Sequence, residues 1–262
     1  MGRVIAISNQ KGGVGKTTTA VNLSACLAAA EKRTLLVDLD PQANASSGLG
    51  RKLDNSDQSI YSVLIGTRAL EDIAVPTAVP FLDLAPSHID LIGAEIELIN
   101  AIARENKLQA ALEPFTENYE YVVVDCPPSL GLLTLNALTG ADSILIPIQC
   151  EYYALEGLGQ LLNTVRLVQR HLNPELVIEG VLLTMYDARL NLSRQVEQEA
   201  RDYFDTKVYR VAIPRNVRLS EAPGFGKPVI LYDILSRGAH SYLELAQEVI
   251  SAEHPPTKAS TP

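Results

Sequence analysis

Lys11-Gly12-Gly13-Val14-Gly15-Lys16-Thr17-Thr18 gathers glycines, lysines and hydroxyls into one short run, a combination suited to holding phosphate oxygens. Glycine lets successive backbone N–H groups turn onto an anion, because no Cβ blocks the approach and a positive φ costs little. Lys16 is spaced to reach the β- and γ-phosphates of a nucleotide, and the Thr17 hydroxyl to ligate Mg²⁺. Two apolar runs end in carboxylates: Leu35-Leu36-Val37-Asp38-Leu39-Asp40 and Val122-Val123-Val124-Asp125. An aspartate that closes a strand also serves as a turn or cap residue, so their types alone do not fix their work. Together the three segments point to phosphoryl transfer, in which the protein positions groups and neutralises charge. His88, His171, His240 and His254 are scattered without metal-ligand spacing, and no H-E-x-x-H or G-x-S-x-G element is present.

Such groups act together only if strands deliver them to one edge of a sheet. Arg3-Val4-Ile5-Ala6-Ile7-Ser8 is a β-branched run leading into the glycine-rich turn, and a helical period follows from Lys16 to Ala30. The alternation recurs, predicting strands over 34–39, 81–85, 121–125, 143–148, 177–184 and 207–211 and helices over 94–112, 156–171, 192–204 and 236–252. Strands that are apolar on both faces require helices on both sides of a parallel sheet. The expected fold is therefore α/β, a doubly wound, mostly parallel sheet flanked by helices. The expected domain spans residues 1–253, with 254–262, rich in proline, as a flexible tail. A first strand beginning at Arg3 predicts no separate sequence-reading DNA domain ahead of it.

The chain has 262 residues, 47% of them hydrophobic and 20% charged, enough to bury one large core. No run of apolar residues is long enough to span a membrane, and Cys26, Cys126 and Cys150 are too far apart for a C-x-x-C pair. A reducing, cytoplasmic setting is expected. The net charge of −9 argues against bulk adhesion to nucleic acid or anionic lipid.

One departure from the plain Walker pattern is specific: Gln10 stands where a glycine is usual, and Lys11 adds a second lysine. This resembles the deviant Walker motif of the ParA/MinD family of ATPases. Ile213-Pro214-Arg215-Asn216-Val217-Arg218-Leu219-Ser220-Glu221-Ala222-Pro223 with Gly226-Lys227-Pro228 is similar to the chromosomal ParA (Soj) branch. The resemblance implies ATP and Mg²⁺ as ligands, contacts from Lys11, Gly12, Gly13, Val14, Gly15, Lys16, Thr17 and Thr18 to the phosphates, and Met185 and Pro214 flanking the adenine. It implies that Lys11 reaches the phosphates of a second subunit in an ATP-dependent homodimer. It further implies that Asp40 positions the attacking water and lies at the metal with Thr17, that Asp125 holds Mg²⁺ through water, and that Asp38 is a secondary metal or structural partner. Lys11, Lys16 and Asp40 are the expected catalytic residues.

By the same likeness the protein is expected to be a DNA-partitioning ATPase with slow hydrolysis stimulated by a ParB-like protein. Its ATP dimer would bind double-stranded DNA without sequence preference and associate with the nucleoid. Local charge agrees with that better than bulk charge, because residues 206–228 carry five basic side chains and one acid. Arg218 and Arg189 are the leading DNA contacts, with Arg215, Lys227 and Arg194 behind them. A MinD-like membrane cycler would need a basic amphipathic C-terminal helix, which the proline-bearing tail lacks. An iron–sulfur ATPase would need paired cysteines, and small buried hydrophobe is the better reading of Cys26 and Cys126. A metabolic ATP-dependent enzyme on the same scaffold remains the third alternative.

Overall fold

The computed structural model describes residues 2–151 and 158–253. Strand β1 (Arg3–Ile7) runs into the glycine loop and helix α1 (Lys16–Ala29), and β2 (Thr34–Asp38) follows. Short helices α2 (Asn44–Gly48), α3 (Ile60–Leu64) and α4 (Leu70–Ile73) lead to β3 (Val75–Pro76) and β4 (Leu82–Ala85). Helices α5 (Leu91–Glu97) and α6 (Lys107–Leu112) precede β5 (Tyr121–Asp125), then come α7 (Leu132–Gly140) and β6 (Ser143–Gln149). Helix α8 (Leu158–His171), β7 (Val177–Thr184), α9 (Asn191–Phe204), α10 (Val217–Glu221), α11 (Val229–Tyr232) and α12 (Arg237–Glu253) complete the described chain.

The strands form one sheet in the order β3-β4-β2-β5-β1-β6-β7. Every pairing is parallel except β3 with β4, where a two-residue strand ending in Pro76 closes the edge. Side chains alternate between two buried clusters. Val4, Ala6, Leu35, Val37, Val122 and Val124 pack on one face, and Ile5, Ile7, Leu36, Tyr121 and Val123 on the other. Burial on both faces explains why these strands read as unbroken apolar runs. On the second face α1 packs against α12, and the buried Thr19 and Tyr242 hydroxyls hydrogen-bond at 3.1 Å across that contact.

Two expected elements are not formed. The helix predicted over 94–112 breaks into α5, a 3₁₀ turn at Leu98–Asn100, a second at Arg104–Asn106, and α6, with Ala103 left-handed at φ 51°. The break is held by buried Asn136 on α7, which accepts from the Leu108 N–H at 3.1 Å and donates to the Arg104 carbonyl at 2.9 Å. Tertiary hydrogen bonding thus overrides the helical period. Replacing Asn136 with alanine strands both buried backbone groups, and about 2–3 kcal/mol of stability is expected to be lost. Thermal unfolding of the variant measures it.

The strand predicted over 207–211 is extended chain beside β7, joined to it by the single bridge Val181–Val208. Its next donors, the Arg210 and Val211 N–H groups, go instead to the Glu248 carboxylate of α12 at 3.0 and 2.8 Å. The start of the helix predicted over 156–171 and the tail at 254–262 lie outside the described residues.

Candidate nucleotide site

Parallel register aligns the carboxylates. Asp125 is paired with Ile7 of β1 on one side and with Asp38 of β2 on the other, so all three stand in one row at the carboxyl ends of the central strands. Open α/β sheets bind ligands outside that edge.

The glycine loop spans the row. Gly13 and Gly15 take φ values of 74° and 88°, which the missing side chain permits. Two side chains outside the loop hold its shape through three hydrogen bonds: Asn9 Oδ1 accepts from the Lys11 N–H at 3.0 Å, Asn9 Nδ2 donates to the Pro147 carbonyl at 2.7 Å, and the Thr184 hydroxyl donates to the Val14 carbonyl at 2.9 Å. Helix α1 starts at Lys16 with no side-chain cap and no acid in its first turn. Its first N–H groups and its positive dipole end are therefore open to an anion.

Lys16 is buried, and its ammonium donates to the Lys11 carbonyl at 3.0 Å. Burial lowers its pKa, and the nearby Asp125 and Asp40 carboxylates work against that. Both Asp125 oxygens are buried without a hydrogen bond of normal geometry, the Thr17 hydroxyl being the neighbouring donor. Burial, then the adjacent Asp38, raises the Asp125 pKa well above the usual carboxylate range. A buried carboxylate with no hydrogen bond of normal geometry, beside a threonine hydroxyl and an uncapped helix, fits a magnesium-bound triphosphate. Among the described residues no three His, Cys, Asp or Glu side chains converge on a cation, so phosphate oxygens would complete its shell.

Asp38 has a different environment. One oxygen accepts from both the N–H and the hydroxyl of Ser46 at 2.7 Å, and the other from the Asp40 N–H at 3.2 Å. Ser46 Oγ in turn accepts from the Ser87 N–H at 3.0 Å. Burial still raises the Asp38 pKa to about 6 despite these bonds. Its oxygens are committed to holding α2 and the Asp40 turn, which favours the structural side of the expectation. Asp40 accepts from the Gln42 N–H at 2.9 Å and faces the loop.

Two joined cavities lie at this edge. One of about 320 Å³ is lined by Gly12, Gly13, Lys16, Thr17, Asp40 and Gln42. The other, about 560 Å³, is lined by Thr184, Ile213, Pro214, Asn216, Leu219 and Tyr242. Gly15, Thr18 and Met185 border both. Met185 is held at φ 51°, a costly conformation for this residue, between the two. Met185 and Pro214, both expected beside a base, line the larger cavity. Gln42, Asn44 and Asn216 were not singled out by sequence reasoning. The D-L-D-P-Q-x-N run could have flagged the first two, but Asn216 becomes legible only when its loop folds over the cavity.

Lys11 lines neither cavity, and its ammonium lies 3.6 Å from Glu151. The basic residues divide. Arg215 and Lys227 are exposed at cavity margins, and Arg194 is exposed on α9. Arg189 pairs with Asp187 through two bonds of 2.9 and 2.7 Å, which hold the Asp187 carboxyl down at about 2. Arg218 meets Glu221 at 2.8 Å and Asp233 at 3.1 Å. The free basic strip is thus narrower than the sequence implied. All three cysteines are buried free thiols, with burial pushing Cys26 and Cys150 up to about 12. No helix among the described residues is long and apolar enough to cross a membrane.

An uncapped helix after a glycine loop, with aspartates ending two neighbouring parallel strands, defines a phosphate-loop nucleoside triphosphatase. Residues 2–178 match the AAA domain family. The chain is 63% identical to the sporulation initiation inhibitor protein Soj of Bacillus subtilis, covering 95% of this chain and 98% of that one. It is 58% identical to the chromosome partitioning protein ParA of Myxococcus xanthus, covering 97% and 90%. Among solved structures, cobyrinic acid a,c-diamide synthase from Mycobacterium smegmatis with bound ATP analog and magnesium superposes with a TM-score of 0.86 at 38% identity, covering 98% of each chain. The chain belongs to the Soj/ParA family of chromosome-partitioning ATPases.

Proposed function

We propose that this chain is an ATP-switched DNA clamp that partitions a chromosome or plasmid. Residues 1–253 act as one ATPase domain. Two subunits close over ATP, the dimer holds double-stranded DNA of the nucleoid without sequence preference, and a ParB-like protein stimulates hydrolysis and release. The observation that carries the reading is Lys11, a second loop lysine whose ammonium faces away from its own subunit's cavities.

The loop N–H groups from Gly12 to Gly15 and the first turn of α1 receive phosphate oxygens, with Lys16 on the β- and γ-phosphates. Thr17 and Asp125 hold Mg²⁺, with Asp40 near it. When bound, the cation would neutralise charge on the phosphates during transfer. Asp40 orients the attacking water, and its backbone N–H is pinned by Asp38. The partner's Lys11 then adds positive charge where negative charge develops. Hydrolysis is slow because this arrangement is complete only across two subunits. Met185 and Pro214 flank the base. Arg189, Arg194, Arg215, Arg218 and Lys227 contact DNA phosphates, and Arg189 and Arg218 exchange their intrachain carboxylates to do so.

Binding to unrelated duplex DNA with ATP, ADP or no nucleotide, across a salt series, tests the reading. ATP-only binding that weakens with salt is expected, and Arg218→Glu should lower affinity at least about tenfold. Equal binding in all three states would overturn the clamp and favour a metabolic enzyme on this scaffold.

A further inference from the structure

Helix α5 buries Leu91 and Ala94 against the protein, and Leu98 in the following turn does the same. On the opposite side Ile89, Ile92, Ile96 and Ile99 are all more than half exposed, with Ile96 at 68%. Ile92 and Ile96 share one face of α5, and Ile89 in the turn before it and Ile99 in the 3₁₀ turn after it continue the row at spacings of three residues. Ile102, in the break that follows, is also exposed, at 91%. Single exposed hydrophobics need no explanation, but a continuous row of β-branched side chains marks a contact surface.

The strip has charged edges. At helical spacing Glu95 falls on one side of the isoleucines, and Asp90 and Glu97 on the other. Residues 88–105 carry four acids against the single base Arg104, and that arginine is paired with Glu105 at 2.9 Å. An apolar row between acidic edges is complementary to an amphipathic helix whose apolar face is edged by lysine or arginine.

The strip also touches the nucleotide machinery. A Cβ on Gly131 would stand 2.5 Å from Glu95 Oε1, so α5 lies directly against the loop that runs from Asp125 into α7. Force applied at Glu95 is transmitted to that loop by contact.

We propose that the isoleucine strip of α5 is the docking surface for a basic amphipathic helix of a partner protein. Its occupant engages Glu95 and acts on the Asp125 loop, a consequence that rests on the partner-stimulated ATPase reading given above. The surface itself follows from exposure, spacing and charge alone.

The test uses the full chain and a synthetic peptide of about 18 residues, long enough to form a helix, with leucines at helical spacing edged by lysines. A scrambled peptide of the same composition and a version with glutamate for lysine are the controls. Anisotropy should show binding of the lysine peptide at least about tenfold tighter than either control. Ile96→Asp, on an exposed side chain, should weaken it about tenfold while ATP-dependent DNA binding persists. Asp90→Lys with Glu97→Lys should reverse the preference toward the glutamate peptide. Failure of the lysine peptide to bind, or binding unchanged by Ile96→Asp, overturns the proposal. So does loss of ATP-dependent dimers in sedimentation velocity with Ile96→Asp, because the strip then belongs between two copies. Absence of ATP-dependent DNA binding in the unsubstituted chain overturns the clamp reading instead, and leaves the peptide result standing.

Discussion

Lys11→Ala is expected to eliminate ATP turnover while nucleotide affinity stays within about threefold of the original. The backbone carbonyl of residue 11 anchors the Lys16 ammonium at 3.0 Å, and alanine preserves that carbonyl. The Lys11 side chain itself points to Glu151 and lines neither cavity, so a subunit binds its own nucleotide without it. On the proposed dimer reading, what the substitution removes is positive charge delivered across the interface to the transferring phosphate, worth a factor of about 100–1000 in rate. Lys16→Ala differs in kind, because it removes the buried ammonium inside the site and should lose binding as well. A mixing experiment separates the two ideas. Asp40→Ala alone is inactive, but in a heterodimer with Lys11→Ala one site has an intact Asp40 and receives an intact Lys11. Equal mixing therefore restores about a quarter of the original activity, since half the dimers are mixed and each has one working site. A Lys11→Ala protein with full turnover would show that each subunit works alone.

Asp125→Asn is expected to move stability and activity in opposite directions. The Asp125 carboxylate is buried with neither oxygen in a normal hydrogen bond, and the neighbouring Asp38 adds like charge. Its raised pKa means that the nucleotide-free folded chain retains a proton where the unfolded chain has released it. Stability from this group is therefore lost as pH rises from the ordinary carboxylate range toward the folded pKa. Asparagine removes that penalty, and a gain of about 1–2 kcal/mol, or roughly 2–8 °C in Tm, is expected at neutral pH. Below the ordinary carboxylate range aspartate is protonated in both states, so the two proteins should converge there. On the proposed role of Asp125 as a metal holder, ATP hydrolysis should fall about 100-fold or more, because a neutral amide would replace the carboxylate. Calorimetry without nucleotide and a phosphate-release assay check both halves. A loss of stability at neutral pH would show that the carboxylate has a role in the fold.

The phosphate site was legible in the sequence because it is built from local units. A strand, a glycine turn and a helix start are consecutive, and the chemistry of Lys16 and Thr17 depends on backbone geometry within the same run. The sheet was legible for a related reason, since strands buried on both faces must be apolar throughout. Asp125 could be nominated from its position at a strand end. That it stands buried beside Asp38, with the Thr17 hydroxyl as its neighbouring donor and no hydrogen bond of normal geometry, depends on strand register and packing.

Long-range contacts decided the rest. The helical period over 94–112 is real, yet Asn136 offers hydrogen bonds that an unbroken helix could not accept. Residues 207–211 have strand composition, but Glu248 takes the donors that a ladder would use. The run of basic residues near the C-terminal third is equally plain in sequence. Only the fold shows that Arg218 sits under Glu221 and Asp233, the latter fifteen residues away, and that Arg215 stands at the margin of the larger cavity while Lys227 borders a separate one beside α1 and α2. The sequence by itself determined the phosphate chemistry and the layered architecture, because both follow from neighbouring residues and from burial pattern. Which carboxylate is left without a partner, which arginine is neutralised and which isoleucines remain uncovered were decided by tertiary structure, because each depends on what distant segments bring alongside.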